Sequence, residues 1–142
     1  MMSDANDTLN RTTLTKATMH ILDAWGVTGE EMRLILDLPE GTRSRQFQKY
    51  RSHEPFPDNP SIERRADYLL RIAGALRTTY PANPQAGYRW LRQHHRRLGE
   101  SPIYAMVTQG EPGLIAVLAE LDATFCWDLS GSNGGGGKTA NG

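Results

Sequence analysis

Apolar residues recur every three or four positions through most of the chain, and this spacing predicts amphipathic helices. The first half carries three such stripes, over residues 14–25, 28–36 and 42–51. Thr28 with Glu31 three residues later forms a capping box, which marks the start of the second helix. A short turn that contains proline and glycine separates the second helix from the third. Two short helices joined in this way have the spacing of a helix-turn-helix motif.

The second half of the chain begins after a loop at residues 52–60, where three prolines exclude a regular helix. Four further helices are predicted beyond it, over residues 61–80, 83–97, 101–110 and 112–124. Ser101 followed by Pro102 marks a helix start, because the hydroxyl can cap the first turn and proline suits the first helical position. Gly110 is the matching stop. No stretch shows the signal of a β-hairpin, so the fold is predicted to be all-α.

Both ends of the chain differ in composition from the helical part. Residues 1–12 are polar and are expected to be disordered, and residues 129–142 form a flexible, glycine-rich tail that cannot pack a core. The 142 residues suffice for one ordinary domain, or for a small domain with an appendage. No apolar run approaches the ~18 residues of a membrane span, and the N-terminus lacks the apolar segment of a signal peptide. The single cysteine, Cys126, excludes a disulfide within the chain, and the sequence therefore predicts a cytoplasmic protein.

The net charge of zero conceals a strong segregation of charge along the chain. Residues 1–40 hold three Lys and Arg against seven Asp and Glu, a net charge of −4. Residues 41–100 hold twelve against five, a net charge of +7, and residues 101–142 hold one against four, a net charge of −3. The basic middle suits a polyanion, whereas a polyanion would repel the acidic C-terminal part.

The third predicted helix and its approach supply side chains of the kind that contact DNA. In chain order, these candidates are Thr42, Arg43, Ser44, Arg45, Gln46 and Lys49. Basic and amide side chains can reach base edges or phosphates, and hydroxyl groups near a helix start can donate to backbone oxygens of DNA. A basic surface helix that is merely solvated remains the alternative interpretation.

The remaining chemistry-bearing residues carry weaker signals. Adjacent histidines such as His94 and His95 point about 100° apart on a helix, so a solvated basic helix end is preferred over a metal site. The aromatic residues Phe125 and Trp127 either close the core or anchor a partner. The sequence shows no catalytic constellation and no phosphate-binding loop between a strand and a helix. The chain is therefore predicted not to be an enzyme and to require no cofactor or metal.

Several residues of the second half stand in an order that is found in one known family. They are Arg64, Arg65, Leu69, Leu70, Ile72, Ala73, Ala86, Trp90, Leu91, Arg92, Leu98, Gly99, Ser101, Pro102, Gly110, Val117 and Leu121. On these motifs, residues 61–125 resemble the toxin-binding domain of the Xre/MbcA/ParS antitoxin family. Residues 14–51 resemble, less specifically, the Xre-type helix-turn-helix that precedes this domain. The implied organisation is a helix-turn-helix region at residues 13–60 and a toxin-binding domain at residues 61–128.

The resemblance implies an antitoxin of a type II toxin–antitoxin system. Family members pair with a RES-domain toxin that destroys NAD, and they block its active site through their C-terminal helical domain. They also bind operator DNA, usually as dimers, so the implied assembly is a homodimer within a toxin–antitoxin hetero-oligomer. Carried over by position, the residues that face the toxin are Glu120, Asp122, Phe125, Trp127 and Asp128. A stand-alone helix-turn-helix transcriptional regulator is the alternative function.

Overall fold

The computed structural model describes the backbone of residues 2–134 and the side chains of residues 6–126. Within these limits the chain forms seven helices and no strand, which confirms the prediction of an all-α fold. The helices are α1 (Met2–Ala24), α2 (Gly29–Leu36), α3 (Ser44–Ser52), α4 (Pro60–Thr79), α5 (Pro84–Arg92), α6 (Pro102–Gln109) and α7 (Glu111–Gly134). None of these helices is long and apolar enough to cross a membrane.

Helix α4 lies at the centre of the fold and joins the two halves of the chain. It packs against α1 and α2, which precede it, and against α5 and α7, which follow it. Its side chains Leu69 and Ile72 have no exposed surface. The buried residues of both halves belong to one hydrophobic cluster, so the helix-turn-helix region and the C-terminal helices share a single core.

The N-terminal helix begins earlier than its sequence indicates. Polarity predicts disorder over residues 1–12, but α1 already begins at Met2. A contact distant in sequence supports it: Arg11 Nη2 donates to the carbonyl oxygen of Phe56 at 2.8 Å. The N–H of Phe56 in turn donates to Thr15 Oγ1 at 2.9 Å, and both side chains are buried. The proline-rich loop therefore holds α1 in place, a contact that local polarity does not reveal.

The last helix also exceeds its prediction. Helix α7 spans Glu111–Gly134, whereas the apolar stripe predicts a helix over residues 112–124. It extends into residues 129–142, where composition predicts a disordered tail. No glycine or proline interrupts residues 114–130, so no local signal ends the helix at the predicted point. The part of the tail beyond Gly134 lies outside the described residues.

The helix caps that the sequence predicts are confirmed. Thr28 and Glu31 form both hydrogen bonds of the capping box at the start of α2. Ser101 Oγ accepts from the N–H of Tyr104 at 3.2 Å, and the proline that follows Ser101 is the first residue of α6. Gly110 ends α6 with a φ of +66°, a value that strains any residue with a Cβ. Local chemistry thus fixes these helix boundaries.

The helix predicted over residues 83–97 is shorter in the structure, where α5 spans Pro84–Arg92. The chain then turns, and the N–H of His95 donates to the carbonyl oxygen of Glu100 at 3.2 Å. The His95 ring lies against Trp90 with 4.5 Å between the ring centroids, and His95 Nε2 lies 2.8 Å from the carbonyl oxygen of Trp90. The two histidines expected at a helix end therefore lie in a turn.

Candidate functional site

Helices α2 and α3 form the helix-turn-helix that the sequence predicts, and residues 37–43 connect them. Asp37 ends α2 in the left-handed conformation, and Leu38 is buried in the connection at 2% exposure. Gly41 adopts a φ of +85°. A buried apolar residue and a glycine with positive φ keep this connection folded back on the domain, which fixes the start of α3.

One face of α3 is anchored in the core. Phe47 and Tyr50 are buried, and the Tyr50 ring packs against the ring of Phe56 with 4.9 Å between centroids. At the end of the helix, Arg51 donates to both carboxylate oxygens of Asp23 on α1, at 2.8 and 2.9 Å. These contacts hold the helix so that its opposite face remains exposed.

The exposed side of α3 is basic. Arg43, Arg45 and Lys49 are exposed, and none of their side chains forms an ion pair or hydrogen bond within the described part of the chain. Ser44 is exposed beside them. Arg43 occupies the N-cap without a side-chain hydrogen bond to the helix, so the first turn of α3 has no side-chain cap. Four of the six predicted DNA-contacting residues are therefore brought together and available.

The other two predicted DNA-contacting residues are engaged within the protein. Thr42 Oγ1 donates to the carbonyl oxygen of Pro39 at 2.7 Å, so this hydroxyl stabilises the turn. Gln46 Nε2 donates to Glu54 Oε2 at 2.8 Å, which ties the start of α3 to the loop that follows the helix. Sequence alone did not reveal the partner of Gln46, because Glu54 lies eight residues further along the chain.

Raising the pH above about 10 is expected to destabilise the protein through Tyr50. Burial raises the pKa of this phenol above its ordinary value of 10.0, although its hydrogen bond with Gln46 acts in the opposite direction. A pKa that is higher in the folded state than in the unfolded state favours folding. This contribution to stability is fully present below the pKa of the unfolded state and is lost as the pH rises through the pKa of the folded state. Urea unfolding between about pH 8 and about pH 11 measures this loss of stability. The stability of the wild type should fall relative to Tyr50→Phe only above about pH 10, and parallel curves would contradict the assignment.

The predicted partner-facing residues lie on α7, whose inner side is fixed by the buried residues Leu114, Val117 and Leu121. Asp122 is exposed, and Phe125 is half-buried one turn after Leu121. The side chains of Trp127 and Asp128 lie outside the described residues.

Glu120 differs from the other predicted partner-facing residues because its carboxylate already has a partner. Arg97 Nε lies 3.2 Å from Glu120 Oε1, and Arg97 Nη2 donates to Oε2 at the same distance. The Glu120 side chain is only 12% exposed, whereas that of Arg97 is 65% exposed. Glu120 therefore ties the turn after α5 to α7.

Two arginines connect the halves of the chain in a way that sequence reasoning missed. Arg65 Nη1 on α4 donates to the carbonyl oxygen of Ile35 at 3.2 Å, and a Cβ on Gly110 would lie 2.9 Å from the same nitrogen. Arg92 Nη2 at the end of α5 donates to the carbonyl oxygen of Gly26 at 3.0 Å. Both arginines belong to the motifs noted in the sequence, but their partners lie at least 30 residues away, so the sequence does not reveal them.

The comparisons with known proteins divide the chain at α4. Residues 4–74 match the family model of the antitoxin Xre-like helix-turn-helix domain. Residues 75–125 match that of the antitoxin Xre/MbcA/ParS C-terminal toxin-binding domain. No curated protein sequence matches the chain. The two matches are contiguous and meet inside α4, the helix that packs against elements of both halves.

Proposed function

The chain belongs to the Xre/MbcA/ParS antitoxin family, and from that premise we propose that it neutralises a RES-domain toxin that degrades NAD. Its second proposed role is to repress its own operon by binding operator DNA as a homodimer. One observation carries this proposal: a helix-turn-helix domain and a toxin-binding domain occupy one chain and share helix α4. Each role is one of binding, so neither requires a catalytic group from this protein.

The charge of the C-terminal part supports an NAD-degrading partner. A pocket that binds the phosphates of NAD is expected to be basic, and residues 101–142 carry a net charge of −3. The exposed carboxylate of Asp122 can face such a pocket, and Phe125 lies one turn from the buried Leu121. We assign the toxin contact to the region that begins at these two residues and continues through Trp127 and Asp128.

Glu120 has a supporting role in this proposal. Its carboxylate is held by Arg97 and is largely covered, so it is poorly placed to enter the toxin. It instead fixes the guanidinium of Arg97 on the surface beside α7. Of the other two predicted carboxylates, that of Asp122 is exposed, and we assign direct contact with the toxin to Asp122 and Asp128.

Replacing Arg43 and Arg45 together with alanine is expected to weaken operator binding by about 2–4 kcal/mol. Both side chains are exposed and lack partners within the described residues, so their loss removes DNA contacts without disturbing the fold. The dependence of the binding constant on salt should fall by about two units in the log–log slope. A variant with Lys16 and Arg71 changed to alanine removes the same charge from exposed positions outside α3. Equal effects of the two double variants would show that α3 is only a solvated basic face.

Co-expression with the neighbouring gene product tests the antitoxin role directly. Induction of the toxin alone should stop growth and deplete cellular NAD, and co-expression of this chain should restore both. If the neighbouring protein harms cells without lowering NAD, the antitoxin role stands but the proposed reaction of the toxin is wrong. If the neighbouring protein is harmless, a stand-alone transcriptional regulator that uses α3 becomes the better explanation.

A further inference from the structure

A second basic surface lies on α5, outside the helix-turn-helix. Gln85, Arg89, Arg92 and Gln93 line one concave region of the surface together with Trp25. The four polar residues are exposed, and a spacing of four and then three positions places Gln85, Arg89 and Arg92 along one side of α5. Gln93 follows directly after the helix and lines the same concave region. We call these four residues the α5 stripe.

The α5 stripe belongs to a stretch of the sequence without acidic residues. Between Asp67 and Glu100 the chain contains six arginines, two histidines and no carboxylate side chain. The Arg89 side chain has no ion pair or hydrogen bond within the described residues. Arg92 pairs with Glu31, but its Nη1 is 3.9 Å from Glu31 Oε2, and its side chain remains 45% exposed. The stripe therefore retains positive charge that the described part of the chain does not neutralise.

The α5 stripe and α3 flank the same turn of the chain. Arg51 near the end of α3 holds Asp23, and Arg92 of the stripe holds the carbonyl oxygen of Gly26. Asp23 and Gly26 are three residues apart, a distance that is at most about 11 Å even in an extended chain. A DNA strand carries one phosphate charge about every 3.4 Å along the helix axis, so a duplex that reaches this end of α3 can also present phosphates to the stripe.

We propose that the α5 stripe contacts the phosphate backbone of the DNA that α3 binds. This inference rests on the proposed operator binding and adds to it a contact from the toxin-binding domain. Its basis is charge complementarity with a polyanion, together with the nearness of the stripe to the end of α3 at the turn that Arg51 and Arg92 both contact. Arginine and glutamine side chains are among those that contact phosphate oxygens in protein–DNA complexes. The α5 stripe thus increases affinity for DNA without reading its sequence.

The test uses Arg89→Gln in the full chain, because this side chain has no partner among the described residues whose loss would disturb folding. Binding is measured by fluorescence anisotropy, over a range of salt concentrations, with a duplex from the region upstream of the gene and with a scrambled duplex. The variant should bind both duplexes about three- to tenfold more weakly and reduce the log–log salt slope by about one unit. Arg89→Lys should retain most of the affinity, because a phosphate contact needs the charge more than the planar guanidinium.

Arg71→Gln is the matched control. Arg71 is exposed on α4 and its guanidinium lies 5.3 Å from the centre of the Tyr68 ring, so its substitution removes the same charge from another element. This control should leave DNA binding unchanged. If Arg71→Gln weakens binding as much as Arg89→Gln does, the effect reflects total charge and the inference is overturned.

The α3 double variant separates failure of this inference from failure of the proposed function. If changing Arg43 and Arg45 weakens binding while Arg89→Gln does not, α3 binds DNA and only the role of the α5 stripe is wrong. If Arg89→Gln weakens binding while the α3 double variant does not, the stripe contacts DNA and recognition by α3 is wrong. If the wild-type chain binds neither duplex, both proposals fail. Unchanged DNA affinity with a loss of toxin binding would assign the stripe to a protein partner and overturn the inference.

Discussion

Replacing Gly113 with alanine is expected to destabilise the protein by about 3 kcal/mol or more. A Cβ at this position would lie 2.8 Å from the carbonyl carbon of Ala105 and closer still to its oxygen. These atoms belong to the backbone of α6, which cannot swing aside as a flexible side chain can. The clash can be relieved only if α6 and α7 move apart, and this movement would loosen the packing of the fully buried Met106 and Leu114. Urea or thermal unfolding measures the loss.

Gly74→Ala provides the matched control for this prediction. Gly74 lies inside α4, and a Cβ there would meet only Arg77 Nη2, at an ordinary contact distance of 3.7 Å. Alanine favours the helix interior over glycine by about 1 kcal/mol, so this variant should be as stable as the wild type or more stable. If both substitutions destabilise the protein equally, close approach of α6 to α7 does not explain the requirement for Gly113.

The two glycines of the α6–α7 junction show which features a sequence reveals. Gly110 ends a helix that begins at Ser101 and Pro102, so local chemistry alone predicts its role, and the structure gives it a positive φ. Gly113 lies just inside the next helix, where glycine has no local purpose. Its role follows from the position of Ala105 across the interface, and only packing establishes that position.

The difference between local and distant partners also explains which predictions succeeded at the ends of the chain and in the candidate site. The caps of α2 and α6 were predictable because their partners lie three residues away. Helix α1 is held by Phe56, which is 45 residues from Arg11 and 41 from Thr15. The engagement of Glu120 depends on Arg97, 23 residues away. Sequence pattern therefore identifies the exposed basic helix, but it does not identify which of its side chains are already bonded.

The arginine contacts between the halves have a consequence for both binding surfaces. Arg65 on α4 holds the end of α2, and Arg92 on α5 holds the turn that precedes α2. Arg64 forms an ion pair with Glu111, with its Nε 3.1 Å from Oε2, at the start of α7. The helix-turn-helix and the toxin-binding helices are thus positioned by one set of contacts around α4. A change at this junction is expected to affect DNA binding and toxin binding together.

Ending the chain after Thr124 is expected to lower toxin affinity by about a thousandfold while the fold is retained. Of the α7 side chains that the structure describes, the cut keeps all the buried ones, including Leu121, and the hydrogen bond from Thr124 Oγ1 to the carbonyl oxygen of Glu120 at 2.8 Å. It removes Phe125 and Trp127, and aromatic anchors at an interface typically contribute about 2 kcal/mol or more each. Titration calorimetry with a catalytically inactive toxin measures the affinity, and the unfolding temperature establishes that the core is intact.

A chain that ends after Ser130 is the matched control, because it loses residues 131–142, which contain all the glycines of the tail, but keeps the proposed contact region. This chain should bind the toxin as the wild type does and should protect cells from it. If the chain that ends after Thr124 binds equally well, the toxin contact lies elsewhere on the helical domain. Loss of binding in both chains would assign the contact to the residues after Ser130. If residues 125–128 form the toxin contact, only the chain that ends after Thr124 should lose toxin binding, and its unfolding temperature should be unchanged.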